Sequence, residues 1–301
     1  MLRRRVLTSA AAIVVGALAL TGCGRSSSSS PTDARVRAVA AFYPLAWATS
    51  VVGGEHVDVT SLTSSGGEPH DLELTPQQVA AVADAQLVVL IRGFQPSVDD
   101  AVAQTSGTAL EVSRIASKDY PTGTAAAGGP ERDPHLWLDP VNMVAIVNAV
   151  RDRLIALDPA HTKAYTANAE AAVGRLVVLD TAWSAGTQKC RSRDLVVSHD
   201  AFGYLAQRYR FSQLGISGLS PDAEPSPSKI AEVTDFVRAH KVTTIYYETL
   251  VDPKIAQTIA TTTGAVTAAL DPLESAPPAG QDYVDVMRSN LATLRTGQGC
   301  A

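Results

Sequence analysis

The chain has 301 residues, 46% of them hydrophobic and 18% charged, a balance that supports a folded body with a sizeable core and excludes a disordered chain. Three cysteines are too few to staple a chain of this length, so apolar burial must hold it. The formal charge is −5; residues 1 to 22 carry three arginines and no acid, leaving 22 basic against 30 acidic side chains, a net of −8. With no basic stripe to displace phosphate counterions, a nucleic-acid partner is not expected.

Residues 1 to 22 read as a signal peptide, with arginines, an apolar run and small residues ahead of Cys23. The apolar run is shorter than the roughly 20 residues of a membrane-spanning helix. Leu20-Thr21-Gly22-Cys23 resembles the bacterial lipobox, which implies cleavage before Cys23 and lipid attachment to its sulfur. The alternative is a plain secretory signal with an incidental cysteine. Residues 23 to 35, with serine from Ser26 to Ser30 and then Pro31, form a polar tether with nothing to bury.

Apolar runs bounded by turns then alternate with amphipathic stretches, the pattern of parallel sheets covered by helices. In the first half, Val36–Ala41, His56–Leu62, Leu87–Ile91 and Ala109–Val112 are expected strands, with helices at Thr75–Ala85 and Ser97–Thr105. Thr75-Pro76 has the form of an N-cap followed by a first helical residue. Residues 159 to 186 form one long linking helix with no proline after its first residue. In the second half the strands are Asp194–Ser198, Phe211–Ile216, Thr243–Tyr247 and Ala265–Leu270, and the helices Phe202–Tyr209, Ser228–His240, Pro253–Thr262 and Asp282–Leu294. The expected fold is therefore α/β. Two lobes, residues 36 to 158 and 187 to 301, each hold a parallel four-stranded sheet flanked by helices, and one long rigid helix joins them.

Of six histidines, His70 follows the second strand in GGEPHDLELTP, His135 precedes a helix in DPHLWLDP, and His199 follows the fifth strand in VVSHDAFGYL. Asp271 follows the last strand in AALDPL. Ligands of open parallel sheets bind beyond the carboxyl ends of strands. Spacings of 65, 64 and 72 residues mean that only the tertiary fold can bring these groups together, two from each lobe. Three neutral imidazoles and a carboxylate suit Zn²⁺ at about 2.0 to 2.2 Å. Asp71, Asp133, Asp139, Asp200 and Glu68 could hold the far ring nitrogens. His56, His161 and His240 read as surface or core residues. Cys190 and Cys300 remain as a pair in an exported protein; a bond between them would clip the C-terminus to the second lobe, and two free thiols or a metal pair are the alternatives.

At these residues the chain resembles the metal-binding lipoproteins of bacterial ABC importers, the zinc and manganese substrate-binding proteins of the ZnuA/TroA kind. AAFYPL at Ala40–Leu45, GGEPHDLELTP, DPHLWLDP, SHDAFGYL, SPDAEPSP at Ser220–Pro227 and LDPL occur in family order. The resemblance implies metal ligation by His70, His135, His199 and Asp271, and His199 stands where manganese relatives place glutamate. It implies two α/β lobes bridged by a long helix and a monomer anchored to the outer face of the cell membrane. It implies too that Zn²⁺ is carried to a permease and not used in catalysis. Two departures stand out. The stretch from Ser117 to Pro134 contains no histidine, where many zinc relatives have a histidine-rich loop, and RGFQP at Arg92–Pro96 replaces an Asn-Gly turn.

Other readings are a manganese carrier of the same family, a secreted zinc hydrolase with Glu248 as base, and a surface adhesin. Against the hydrolase, no HExxH stretch occurs, Asp271 would fill the open position, and contiguous Ser198-His199-Asp200 cannot form a triad. Affinity of a histidine site is expected to fall roughly below pH 6 to 6.5 as imidazoles protonate.

Overall fold

The structure, a computed structural model, describes residues 35–105, 108–115 and 133–301. The signal peptide, Cys23, all of the tether but its last residue, and the stretch 117–132 lie outside the described residues. Strands β1 (Val36–Ala40), β2 (Val57–Ser61), β3 (Leu87–Leu90) and β4 (Thr108–Glu111) form one sheet in the order β2-β1-β3-β4, every pair parallel. Strands β5 (Asp194–Val197), β6 (Ser212–Gly215), β7 (Thr244–Tyr247) and β8 (Val266–Ala269) form a second in the order β6-β5-β7-β8, again all parallel. The two sheets repeat one winding rule. Each has a switch point, between β1 and β3 and between β5 and β7, where the onward connections diverge and a crevice opens.

The helices are α1 (Tyr43–Gly53), α2 (Pro76–Asp84), α3 (Pro96–Ala103), α4 (Pro140–Leu157), α5 (Thr162–Gly186), α6 (Gly203–Tyr209), α7 (Pro227–His240), α8 (Lys254–Thr263) and α9 (Tyr283–Gln298). Their starts are written locally. Thr75 and Gln78 make a reciprocal capping box ahead of Pro76 on α2, Asp282 and Asp285 do the same for α9, and Ser226 caps α7 ahead of Pro227. Helix α1 has no counterpart among the elements expected from sequence. Its residues YPLAWATSVVG bury Pro44, Leu45, Trp47, Ala48, Thr49, Val52 and Gly53, so polar positions are too few to mark a 3.6-residue period.

Helix α5 is the expected linker, entered through a 3₁₀ turn at Pro159–His161. Its buried residues Tyr165, Ala169, Ala172, Leu176, Leu179 and Trp183 recur every three or four positions and form one stripe. At about 1.5 Å per residue its 25 residues extend about 37 Å. The stripe packs on α1 and α4 at one end and on α9 at the other. Near the α9 end, Trp183 stacks on Tyr209 and its indole N–H donates to the Met287 carbonyl at 3.2 Å.

The lobes share a core. A single buried cluster includes Phe42, Leu45 and Trp137 from the first half with Leu205, Tyr283 and Leu294 from the second. A smaller cluster of Val196, Ile216, Val233, Val237, Ile245 and Ile259 lies between the second sheet and its outer helices. Polar contacts cross the same boundary. The Trp137 indole donates to the Pro272 carbonyl at 2.7 Å, the Tyr283 hydroxyl to the Trp137 carbonyl at 2.6 Å, and the Tyr204 hydroxyl to the Asp133 carbonyl at 2.9 Å. Arg208 grips the buried Asp139 carboxylate through its Nε and one Nη at 2.8 to 3.0 Å. Hinge motion that separates the lobes must break apolar packing and buried hydrogen bonds together.

Cys190 and Cys300 are joined in a disulfide across 110 residues, which replaces the free-thiol and metal-pair alternatives. Backbone N–H groups of Arg191 and Ser192 donate to the Gln298 carbonyl, and that of Ala301 to Lys189, so the tail is laced along the loop ahead of β5. By loop-closure entropy such a crosslink is worth about 4 to 5 kcal/mol. A Cys190→Ser, Cys300→Ser variant is therefore expected to unfold at clearly lower urea concentration, read by tryptophan fluorescence; an unchanged midpoint would contradict that contribution.

Candidate metal centre

Four side chains converge between the lobes: His70, His135, His199 and Glu274, with one ligand atom from each all within 4.8 Å of one another. His199 stands two residues past β5 and Glu248 directly past β7, one on each side of the second sheet's switch point. His135 begins a 3₁₀ turn, Leu136–Leu138, that leads into α4 through the N-cap Asp139. His70 comes from the long connection after β2, and its backbone N–H donates to Glu68 Oε1 at 3.0 Å. Beneath them Phe42, Phe94 and Trp137 pack in tilted and edge-to-face contacts at 4.6 to 5.4 Å and form an apolar floor. Phe94 also meets the His70 ring edge-on at 4.7 Å.

The spacing of the donors is informative. Glu274 Oε1 lies 3.3 Å from His70 Nε2, 3.2 Å from His135 Nε2 and 3.3 Å from His199 Nε2, and the last two nitrogens are 3.3 Å apart. Corners of a tetrahedron around an ion with bonds of about 2.0 to 2.1 Å stand about 3.3 to 3.4 Å from each other. The far ring nitrogens are held by carboxylates: His135 Nδ1 lies 2.7 Å from Asp133 Oδ1, and His199 Nδ1 lies 2.7 Å from Glu248 Oε1. Those partners fix the rings so that both Nε2 atoms face the centre. Glu274 is fully buried, and its Oε2 has no protein partner among the described residues, an arrangement that suits a second cation contact better than an apolar core.

Asp271, the expected fourth donor, is not in the cluster. Its Oδ1 accepts the Leu273 N–H at 2.7 Å, and its own backbone N–H and carbonyl are clamped by the Asn290 amide at 3.0 and 2.7 Å. Leu273 is buried at φ 59°, a left-handed conformation uncommon for a branched residue, and it swings the chain so that Glu274 enters the centre. Asp271 thus builds the turn that delivers Glu274. Two acids in LDPLES compete for the role, and the strand-end rule selects the nearer one. The Asp-Pro pair is the signal that could have reversed the choice, because such an aspartate characteristically bonds the backbone two residues on.

Of the expected supporting carboxylates, Asp133 and Glu68 contact histidines, at the His135 ring and the His70 backbone. Asp139 caps α4 and binds Arg208, Asp200 accepts from Gln213, and Asp71 hydrogen-bonds Asp222. Glu248, considered as a hydrolytic base, is buried with its Oε1 engaged by His199. The remaining histidines lie elsewhere: His56 stacks on His161 at 3.8 Å, and His240 on Phe236 at 3.9 Å.

Burial alone would raise Glu274, but hydrogen bonds from three imidazoles outweigh it and draw its carboxyl well below the usual range. Burial works to lower His199, yet hydrogen bonds and charge from Glu248 and Glu274 overcome it and lift the ring to about 10. His135 is raised for the same reasons through Asp133 and Glu274, whereas His70 is lowered, chiefly by burial. Glu68 is pushed up to about 7 by burial and then by the Glu274 charge. For the ion-free fold the sign follows. The His199 contribution is complete below 6.5 and is lost as pH rises through about 10, and ionising Glu68 costs stability over 4.5 to about 7. The melting temperature in chelator is expected to fall from pH 6.5 to about 9.5, less steeply in Glu248→Gln. A flat or rising profile would contradict the arrangement.

The chain matches the profile of ZnuA, described as zinc-uptake complex component A, periplasmic, over residues 38–297. It is 32% identical over 299 residues to the high-affinity zinc uptake system protein ZnuA of Bacillus subtilis, covering 92% of this chain and 93% of that protein. It is 32% identical over 295 residues to the zinc-binding lipoprotein AdcA of Streptococcus pneumoniae, covering 93% of this chain but only 58% of that longer relative. The Zn(II)-bound structure of AdcA superposes with a TM-score of 0.74 over 88% of this chain and 58% of that one, at 32% identity. The laminin-binding protein Lmb of Streptococcus agalactiae, described as a bifunctional adhesin and metal transporter, superposes with a TM-score of 0.79 at 35% identity, over 87% of this chain and 99% of its own. Among the described residues no helix is long and apolar enough to cross a membrane. With one profile running through nearly all of the two-sheet body, the chain belongs to the ZnuA family of zinc-uptake components.

Proposed function

We propose that this protein captures Zn²⁺ between its lobes through His70, His135, His199 and Glu274 and delivers it to the permease of an ABC-type importer. It does so from the outer face of the membrane, held there by lipid on Cys23. The observation that carries the reading is the donor spacing of 3.2 to 3.3 Å around Glu274 Oε1, which fits a tetrahedral ion with bonds of about 2.0 to 2.1 Å. Three imidazoles with one carboxylate favour zinc over manganese, which prefers more oxygen donors. The AdcA and ZnuA relatives, named for zinc, support the same cargo. A hydrolytic role finds less support, because the buried carboxylates beside the donors, Asp133 and Glu248, are bonded to His135 and His199, and the proposed set of four protein donors leaves no open corner.

The chain's own groups account for how the ion is taken up. Glu274 supplies the formal charge, and Asp133 and Glu248 make His135 and His199 better donors once their Nε2 protons leave. Because His199 is lifted to about 10, it holds a proton at neutral pH in the ion-free protein, and zinc must displace it; His135 is shifted in the same direction through Asp133 and Glu274. Competition with protons therefore sets in at higher pH than the 6 to 6.5 of ordinary imidazoles, roughly. Calorimetry at pH 8 in buffers of different ionisation enthalpy is expected to show at least about one proton released per zinc, with affinity rising as pH increases. Heats independent of the buffer would overturn this.

The fourth donor is tested by a pair of substitutions. Glu274→Ala is expected to weaken zinc binding by about a hundredfold or more, and Asp271→Asn by less, since it disturbs only the turn. Competition against a fluorescent chelator reads both. If Asp271→Asn proves the more damaging while Glu274→Ala binds normally, the assignment of Glu274 is wrong. Palmitate labelling that persists in Cys23→Ala would remove the lipid anchor from the proposal.

A further inference from the structure

The second lobe, residues 187 to 301, carries 11 basic and 12 acidic side chains and is almost neutral, yet one end of it is predominantly basic. In a parallel sheet every strand starts at the same end. Arg191 lies just ahead of β5, Arg210 ahead of β6, and Lys241 ahead of β7, while Arg238 and Arg295 occupy the last turns of α7 and α9. Lys189 joins them because its carbonyl binds the Ala301 N–H beside the disulfide. All six are exposed. Arg191, Arg238 and Lys241 rim a shallow depression of about 650 Å³ whose other walls include Thr243, Thr263 and Thr296. At the opposite end, following the strands, lie Asp200, Asp222, Glu248, Asp252, Asp271 and Glu274, and the two lysines there, Lys229 and Lys254, are paired with Glu232 and Asp252.

Helix C-termini attract cations, and that accounts for Arg238 and Arg295. The same holds for Arg210 and Lys241, the left-handed C-cap residues of α6 and α7, but not for Lys189 and Arg191, which sit on the loop ahead of β5. Among the described residues no carboxylate lies within ion-pairing distance of Lys189, Arg191, Arg210 or Lys241. Acids at this end are already engaged, Asp194 by His240 and Asp235 by Arg238. The disulfide and the laced C-terminal tail hold Lys189 and Arg191 in place, so the patch is a fixed surface.

We propose that this basic end of the second lobe rests on anionic phospholipid headgroups of the membrane to which the protein is anchored. Anionic lipid then attracts this end of the lobe and holds the tethered body close to the bilayer surface. The proposal builds on the anchoring of Cys23. Twelve residues from Cys23 to Ala34 can span at most about 40 Å, which keeps the folded body within reach of the headgroups and raises the effective concentration of the patch above them.

The test uses the chain from Gly24 onward, which retains the whole folded unit and its core and lacks the anchor, so its result does not depend on lipidation. Co-sedimentation with phosphatidylcholine vesicles containing about 40% phosphatidylglycerol, at about 20 mM salt, is expected to exceed that with pure phosphatidylcholine at least about tenfold and to vanish near about 300 mM salt. The variant Arg191→Glu, Arg238→Glu, Lys241→Glu is expected to lose the difference. Arg92→Glu, Arg114→Glu, Lys163→Glu, an equal charge change at exposed positions outside this lobe, is expected to keep it. Should the first variant fail to fold, Lys189→Gln with Arg210→Gln is expected to give a partial loss. Equal binding to both vesicles, equal loss in both triple variants, or displacement by inorganic phosphate at matched ionic strength, which would mark a phosphate pocket, would each overturn the proposal.

Discussion

One carboxylate oxygen, Glu274 Oε1, meets three imidazole nitrogens that come from both lobes, and it can do so only because the lobes do not drift apart. A charge at full burial is tolerated when every neighbour is complementary, and the two raised imidazoles supply that complement in the ion-free protein. A protonated His199 therefore brings, in the ion-free protein, charge that a divalent cation would otherwise supply. The donors already stand together without an ion.

That convergence depends on what surrounds the cluster. The aromatic floor of Phe42, Phe94 and Trp137 belongs to the core that runs through both halves, and Trp137 also donates to Pro272, within the turn that presents Glu274. Tyr283 bonds the Trp137 carbonyl from the far side. The donors are thus positioned by packing and by hydrogen bonds that cross the lobe boundary, with α5 as a strut behind them.

Much of this was legible in the residues. Short apolar runs, the Thr75-Pro76 helix start and the long alanine-rich stretch pointed to the two sheets and α5, and strand-end positions singled out His70 and His199, with His135 standing ahead of a helix. What escaped has specific causes. Helix α1 is buried on nearly every side, so it lacks the polar half of an amphipathic signal. Glu274 lies beyond a turn whose left-handed Leu273 no propensity favours, and a donor three residues farther along can be located only once that turn is known. The net charge of −8 gave no hint of a basic surface, because composition averages over the ends that the parallel topology separates.

The fused interior has a consequence for unloading. Where two bodies swing freely, a bound ion can escape whenever thermal motion parts them. Here the crevice floor is also the molecule's centre, crossed by indole and phenol hydrogen bonds that fluctuations rarely sever. Letting go of the cargo then becomes an act performed on the protein from outside, and the machinery that receives the ion must also supply the work of prising it loose.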